Sequence, residues 1–247
     1  MDNQAKEYGQ SNFSLPHDVV PLPSQGFFYK NKKKSLKVGY LTANDENILM
    51  AAGNDMTQTL LRSKIYEPEV RVEDLLEGDV EAILIFLRNT AFGPEIELNL
   101  VDTVTRKPFK TTVLLDELDI IKGQQPSEDG TFTTILPKSQ STVKLKPMSY
   151  GEILEIQRMS STYPEGRTAP KVTWRLNKQI VEVNGITDRG EIAKFIDQMP
   201  IADSKFIRKF SDDNEPKLDL KKTVMTPSGE KLTVNVGFGV DFFRPFF

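Results

Sequence analysis

The residues that could carry chemistry in this 247-residue chain are few and scattered. The sequence has no Cys and a single His, His17, so it offers neither a thiolate nor a set of His ligands for a metal ion. Its acids occur as local pairs such as Asp45-Glu46 and Asp212-Asp213, which are typical of helix starts and solvated turns. Gly237-Phe238-Gly239 ends a strand-like segment and lacks the pattern of a nucleotide-binding loop. These patterns predict a protein that is not an enzyme and has no metal, cofactor or small-molecule substrate.

Two groups of basic residues could instead contact phosphates or acidic partners. One is the run Lys30–Lys34, and the other combines Lys205, Arg208 and Lys209. The whole chain carries 32 basic and 35 acidic residues, a formal net charge of −3, whereas a broad nucleic-acid surface usually needs a basic surplus. We therefore expect the lysine run to be a solvated hairpin tip, and keep a nucleic-acid-binding accessory protein as the alternative hypothesis.

Aromatic residues gather at three places that could bind another protein. The first follows a Pro-rich segment, the second is the only Trp of the sequence, and the third is the end of the sequence. Burying one Phe gains roughly 1.5–3 kcal/mol, so the terminal phenylalanines must either complete the core of their own chain or dock on a neighbouring subunit. Trp174 is likewise either a core residue or an interface anchor. The candidate partner-docking residues are Phe27, Phe28, Tyr29, Trp174, Phe242, Phe243, Arg244, Pro245, Phe246 and Phe247.

The elements that would position these residues are helices and antiparallel strands. Thr42-x-x-Asp45 and Ser149-x-x-Glu152 have the form of capping boxes and predict two helix starts. Apolar residues recur at helical spacing between Gly78 and Phe92. Further helices are predicted over 57–65, 172–181, 188–198 and 203–210. No apolar run approaches the roughly 18 residues of a membrane-spanning helix, so we expect no membrane partner.

Strand patterns complete the predicted α+β fold. A hairpin with the lysine run at its tip is predicted before residue 40, and strictly alternating residues predict a strand over 95–100 with its partner over 111–115. Residues 217–220 and 232–236 repeat that ribbon pattern near the end of the sequence.

The order of hairpin, helices and ribbon occurs twice along the chain. Ile135–Gln140 repeats the pattern of Pro21–Gln25, and the second capping box and ribbon follow in the same sequence as the first. We infer two diverged copies of one module, each made of an N-terminal β-hairpin, several α-helices and a closing β-ribbon. The predicted boundaries are a flexible arm over 1–13, a first module over 14–121, a linker over 122–131 and a second module over 132–247.

Several of these segments together resemble a known family. Leu22–Tyr29, followed by Leu41–Leu49, resembles the opening of the baseplate hub and hub-assembly proteins of contractile-tailed bacteriophages. Val240–Pro245 is similar to their ending, and the helix Val80–Phe92, which leads through Gly93 into a ribbon, also fits. The resemblance implies a non-enzymatic structural or assembly protein of the tail baseplate hub, either a hub component or an assembly chaperone, that acts through protein–protein contacts.

The same resemblance implies partners, locations and one departure from the family pattern. The partners would be other baseplate and hub proteins, with the tape-measure protein and further copies of this chain as additional candidates. The locations would be the host cytoplasm during assembly and the baseplate of the virion tail. Many members carry Cys-x-x-Cys-like pairs in the ribbon turns, whereas this chain has Thr105–Pro108 and Thr226–Gly229 there. We therefore expect hydrogen bonds and Pro/Gly geometry, not zinc, to hold these turns.

Overall fold

Helices and antiparallel strands alternate along the chain, and the α+β class predicted from the sequence is confirmed. The computed structural model describes residues 16–51, 56–238 and 242–243. The first half contains a hairpin, three helices and a ribbon. Its elements are β1 (His17–Pro21), β2 (Ser35–Gly39), α1 (Ala43–Ala51), α2 (Met56–Lys64), α3 (Glu77–Phe92), β3 (Glu95–Val101) and β4 (Pro108–Leu114).

The second half begins after a two-residue strand and adds a third strand to its opening hairpin. That two-residue strand is β5 (Ile120–Ile121), and the elements after it are β6 (Phe132–Ile135), β7 (Thr142–Leu145), α4 (Tyr150–Ser161), α5 (Lys171–Gln179), β8 (Ile180–Val183), α6 (Arg189–Asp197), α7 (Ile201–Asn214), β9 (Lys217–Leu218), β10 (Lys221–Met225) and β11 (Lys231–Asn235). In the described ranges, β1–β2, β3–β4, β5–β9 and β10–β11 form two-stranded sheets, and β6-β7-β8 forms a three-stranded one.

The helix predicted over 172–181 ends two residues earlier than expected. Ile180 and Val181 belong to strand β8 instead, where Ile180 pairs with Leu145 of β7 and is fully buried. β-Branched residues fit a pleated, buried surface better than a helix end. Ile180 and Val181 therefore become a strand, which pairs with the free edge of β7.

The two predicted capping boxes differ in the structure. Ser149 forms the complete box, because its hydroxyl accepts a hydrogen bond from the Glu152 amide while the Glu152 side chain accepts one from the Ser149 amide. At the start of α1, the Thr42 amide and hydroxyl both donate to Asp45, each at 2.7 Å, so the hydroxyl is not the acceptor that a capping box requires. Asp45 needs these donors because it is buried in an ion pair with Lys64.

A buried Asp at the third position of a helix holds a turn in each half. In α3, Asp79 accepts a hydrogen bond from the Ser24 amide at 2.9 Å. In α7, Asp203 accepts hydrogen bonds from the amides of Lys138 and Ser139 at 2.7 and 2.9 Å. Both carboxylates are fully buried, so these bonds satisfy groups that water cannot reach.

Both turns also contain a Gln with a left-handed backbone, although the hydrogen bond that closes the turn spans three residues in the first and four in the second. Gln25 and Gln140 have φ values of 51° and 55°, in the left-handed region. The Gln25 amide donates to the Leu22 carbonyl at 3.0 Å, and the Gln140 amide donates to the Leu136 carbonyl at 3.1 Å. Each half therefore places a similar turn between its first strand pair and binds that turn to the start of a long helix.

The main hydrophobic cluster does not follow the division of the sequence into halves. It combines buried residues of β1, β2, α2, α3 and β4 with Val236, Phe242 and Phe243 from the end of the chain. A second cluster lies within residues 136–207, and a small third one contains Met148 and residues of α4. The last described residues therefore complete the core of the first half.

Further contacts join the halves along helix α3. Strand β9 pairs with β5 and lies against α3, where an added Cβ on Gly78 would come within 2.4 Å of the Pro216 carbonyl oxygen. On another side, the Tyr150 amide at the start of α4 donates to the Leu75 carbonyl at 2.7 Å. Segment 122–131, predicted as a linker, is also in contact with α7, since the Gln124 amide donates to the Asn214 side chain at 3.1 Å.

Candidate partner-docking surfaces

The aromatic turn after β1 contains one surface ring and two anchored ones. Phe27 is 39% exposed, whereas Phe28 is half-buried with its ring 5.8 Å from that of Phe132. The Tyr29 hydroxyl donates to Asp79 and accepts a hydrogen bond from the Leu76 amide at 2.9 Å. Burial, together with the charge of Asp79, raises the pKa of Tyr29, so this phenol is a structural group. Of the three predicted docking residues here, Phe27 is the one at the surface.

The lysine run lies in the loop between β1 and β2, as its predicted place at a hairpin tip requires. Lys33 forms an ion pair with Glu69 at 2.7 Å, and the Lys32 ammonium donates to the Phe27 carbonyl at 3.1 Å. Lys30 and Lys34 are exposed and have no ion pair among the described residues. Lys32 has no ion pair there either, so the run presents three charges without a counter-charge, beside a groove of about 560 Å³ lined partly by the loop itself.

Trp174 packs on the small third cluster between α4 and α5. Its half-buried indole contacts the group that contains Met148, Ile153 and Ile156, and the Tyr163 ring meets it edge-on at 5.7 Å. The side chain is thus partly a core residue and partly open to solvent.

The described part of the aromatic ending is buried within its own chain. Phe242 and Phe243 are 2% and 4% exposed, and their rings meet edge-on at 4.9 Å. The Arg88 guanidinium lies 5.8 Å from the centroid of the Phe242 ring, within the range of a cation–π contact. The other predicted docking residues of this segment lie outside the described residues; they are Arg244, Pro245, Phe246 and Phe247.

The two ribbon turns meet at a buried carboxylate that the sequence analysis did not single out. Asp102 accepts hydrogen bonds from the amides of Val104 and Thr105 at 2.9 and 3.0 Å. Across the contact, the Ser228 amide and hydroxyl donate to the same carboxylate at 2.9 and 3.0 Å. The bond from the Thr105 amide, together with those from Ser228 and Val104, lowers the pKa of Asp102 to about 2. Hydrogen bonds hold both turns, as expected from the lack of Cys.

Part of this arrangement had a signal in the sequence. An Asp that is followed closely by Thr often bonds its own turn, so the contacts within the first ribbon turn were predictable. The bond to Ser228 joins residues 126 positions apart, and no local pattern indicates it.

A cavity of about 250 Å³ lies between the halves, where α3 approaches the end of α7. Burial raises the pKa of Glu81 to about 7, and the charge of Glu77 raises it further while Lys217 opposes the shift. Burial also raises the pKa of Glu215 to about 7, against the favourable charges of Lys217 and Arg175. The cavity therefore holds two carboxyl groups that change charge near neutral pH, which sequence periodicity could not reveal because they come from different halves.

Neither a metal-binding group nor a membrane-spanning helix is found among the described residues. No group of His, Cys, Asp or Glu among them is arranged to hold a metal ion. In the same part of the chain, no helix combines the length and apolar character needed to cross a membrane.

These features define an α+β protein in which the end of the second half completes the main hydrophobic cluster of the first, and whose surface carries aromatic, basic and ribbon-turn groups. The chain matches the family model described as T4 bacteriophage base plate protein over residues 27–244, and it belongs to that family. No curated protein and no solved structure matches the chain. Family membership identifies it as a structural protein of the phage baseplate, whose partners are other phage tail proteins.

Proposed function

We propose that the chain is a non-enzymatic structural or assembly protein of the baseplate hub, and that it acts through protein–protein contacts. The observation that carries this proposal is the family match, which extends from Phe27 in the first aromatic turn to Arg244. The match includes both halves and the segment that joins them. Surface groups that could bind neighbouring proteins are also present. They are the exposed ring of Phe27, the ammonium groups of Lys30 and Lys34, which have no ion pair, and the solvent-exposed part of the Trp174 side chain.

The proposed partners are other baseplate and hub proteins, with the tape-measure protein and a second copy of this chain as further candidates. The proposed locations are the host cytoplasm during assembly and the baseplate of the virion. Residues 244–247, together with Phe27 and Trp174, are the docking residues that we propose for these contacts. Phe28, Tyr29, Phe242 and Phe243 support the fold around them.

We also propose that the halves are diverged copies of one module, with boundaries near 14–121 and 132–247. The repeated order of hairpin, helices and ribbon supports this. So does the pair of buried carboxylates, Asp79 and Asp203, each of which binds the turn of its own half. In this view the closing ribbon of the second copy has come to pack on the core of the first.

The function is tested by expressing a tagged chain during infection, cross-linking, and identifying the captured proteins by mass spectrometry. We expect other baseplate or tape-measure proteins among the specific contacts. Capture of host metabolic enzymes alone would contradict the proposal. Mass spectrometry of purified virions then separates the two roles, because a hub component stays in the particle and an assembly chaperone does not.

A further inference from the structure

The turn between β3 and β4 presents apolar and basic side chains together. Val101 and Val104 are 54% and 58% exposed, and Arg106 and Lys107 beside them are exposed as well. All four belong to residues 101–108, which we call the first ribbon turn. On its other side this turn is fixed to the second ribbon through Asp102, so the exposed side chains stand on a rigid base.

The carboxylates nearest to the first ribbon turn along the two ribbons are already bonded. Asp102 is buried and accepts from three residues, Glu97 forms an ion pair across its ribbon at 2.6 Å, and Glu230 accepts from a hydroxyl of the turn at 3.2 Å. Within the described ranges neither Arg106 nor Lys107 has an ion pair. The turn therefore keeps two basic side chains that form no ion pair with the described part of the chain.

Arg106 also has a backbone conformation that L-residues with long side chains rarely adopt. Its φ is 57°, and the facing turn uses Gly229 at a φ of 85°. The other non-glycine residues with positive φ in the described ranges each use the side chain in a hydrogen bond within the chain; they are Gln25, Lys32, Gln140 and Asn184. The Arg106 side chain has no such bond among the described residues. A strained residue whose side chain is unused within the chain is a mark of a functional surface.

We propose that the first ribbon turn binds an acidic segment of another tail protein that also carries an apolar side chain. The Arg106 guanidinium suits a bidentate contact with a carboxylate, Lys107 adds a second charge, and Val101 and Val104 supply the apolar contact. Because Asp102 already orders the turn, binding loses less conformational freedom than it would with a free loop. This inference rests on the proposed function and assigns one of its surfaces.

The experiment measures binding of the full chain to overlapping peptides that cover the other tail proteins of the same phage, by fluorescence anisotropy. We expect the bound peptides to be rich in Asp and Glu and to contain a large apolar residue. The double variant R106E/K107E should weaken their binding by about tenfold or more. The matched control R167E/K171E makes the same change of net charge at two exposed residues to which no contact is assigned, and should bind as the wild type does.

A second variant separates the side chain from the fold. Arg106→Gly relieves the backbone strain, so its melting temperature should equal or exceed that of the wild type while peptide affinity falls. Unchanged affinity in R106G or in R106E/K107E would overturn the proposal, as would equal losses in R167E/K171E. A DNA duplex that binds through Arg106 and Lys107 in place of the peptides would overturn it too. If the wild type binds no tail protein or peptide at all, the proposed function fails; if it binds them all through other residues, this inference alone fails.

Discussion

Asp102 illustrates how much of this structure depends on single buried carboxylates. Its two oxygens accept four hydrogen bonds from the two ribbon turns, so this buried carboxylate has several donors in place of water. Asp79 and Asp203 have the same role at the two helix starts. The residues next to an Asp in the sequence indicate whether it caps a helix or stabilises a turn, so they predict only its hydrogen bonds to nearby residues. The partners of Asp79 and Asp203, and the Ser228 partner of Asp102, lie in distant parts of the chain.

Replacing Asp102 with Asn should loosen the contact between the ribbons. The amide keeps the size of the carboxylate but offers one acceptor oxygen in place of two, and loses the charge that strengthens these bonds. We expect a melting temperature lower by a few degrees at pH 7, measured by circular dichroism. Asp116→Asn, at an exposed position, is the control and should melt as the wild type does.

The pH dependence of that difference follows from the lowered pKa of Asp102. A carboxyl with a folded pKa of about 2 contributes its stability fully above its unfolded pKa, near 4, and loses it as the pH falls through the folded value. The gap in melting temperature between wild type and D102N should therefore shrink between about pH 4 and pH 2. A gap that stays constant over this range would contradict the assignment.

The charge of Glu215 should lower the stability of the fold, whereas that of Asp102 raises it. The pKa of Glu215 is raised to about 7, so the folded state binds more protons than the unfolded state between about pH 4.5 and 7, and stability falls as the pH rises through this window. Glu215→Gln removes the charge that burial disfavours and should raise the free energy of unfolding by about 1 kcal/mol at pH 8, with little change at pH 4.5. Urea unfolding at both pH values measures this. Glu165→Gln, on the surface, should show no such difference.

At the scale of elements, the sequence predicted what local periodicity controls. Helix α3 was predictable because its apolar residues recur at helical spacing and Gly93 follows its last turn. The first ribbon was predictable because exposed and half-buried residues alternate strictly along β3. In the second ribbon the predicted strand 217–220 was wrong, because the strand that pairs with β11 is β10, four residues further along the chain. Strand β5 and its pairing with β9 were not predictable, since each of these strands has two residues and exists because the other is beside it. Ile180 and Val181 were misassigned for the same reason.

Gly78 tests the packing of α3 on the second half. In an exposed helix, Gly→Ala would stabilise by up to about 1 kcal/mol. Here the new methyl would lie 2.4 Å from the Pro216 carbonyl oxygen and 2.7 Å from the Lys217 Cα, so we expect Gly78→Ala to destabilise by about 1–3 kcal/mol instead. Urea unfolding gives the value. Gly190→Ala in α6 is the matched control: its new methyl meets only the Asp188 side chain, at 3.2 Å, so stability should stay the same or rise by up to about 1 kcal/mol.

At the scale of the whole molecule, the shared core is the feature that sequence analysis could not supply. The repeated pattern predicted two modules, and it did not show that Val236, Phe242 and Phe243 pack into the cluster of the first half. Apolar patterning shows that a segment must be buried and does not show against what. For the same reason the aromatic ending left two interpretations open, and the positions of Phe242 and Phe243 show that these two rings are buried in their own chain.

Removing residues 241–247 should therefore destabilise the whole fold. The deletion takes two buried Phe side chains from the main cluster, and a Phe→Ala change at such a site costs about 3–5 kcal/mol. We expect a large drop in melting temperature, with loss of the near-ultraviolet circular dichroism signal at physiological temperature. Phe242→Ala should reproduce about half of the effect. Unchanged melting after the deletion would contradict the burial described here.

Deleting only residues 244–247 is the matched comparison. Phe242 and Phe243 remain, so the melting temperature should stay close to that of the full chain. If the proposed docking residues are used, capture of other tail proteins falls nevertheless. Wild-type capture by this shorter chain would remove Arg244, Pro245, Phe246 and Phe247 from the docking surface.

The position of Val236, Phe242 and Phe243 in the main cluster also has a consequence for synthesis. A ribosome makes the strands and helices of the first half long before it reaches these residues. Until then, the apolar side chains of the main cluster that these three residues cover remain exposed in the nascent chain. Folding of the first half can finish only after residue 243 has left the exit tunnel. A prematurely terminated chain consequently leaves those side chains exposed to chaperones and proteases, and a cell can discard it before it reaches an assembling tail.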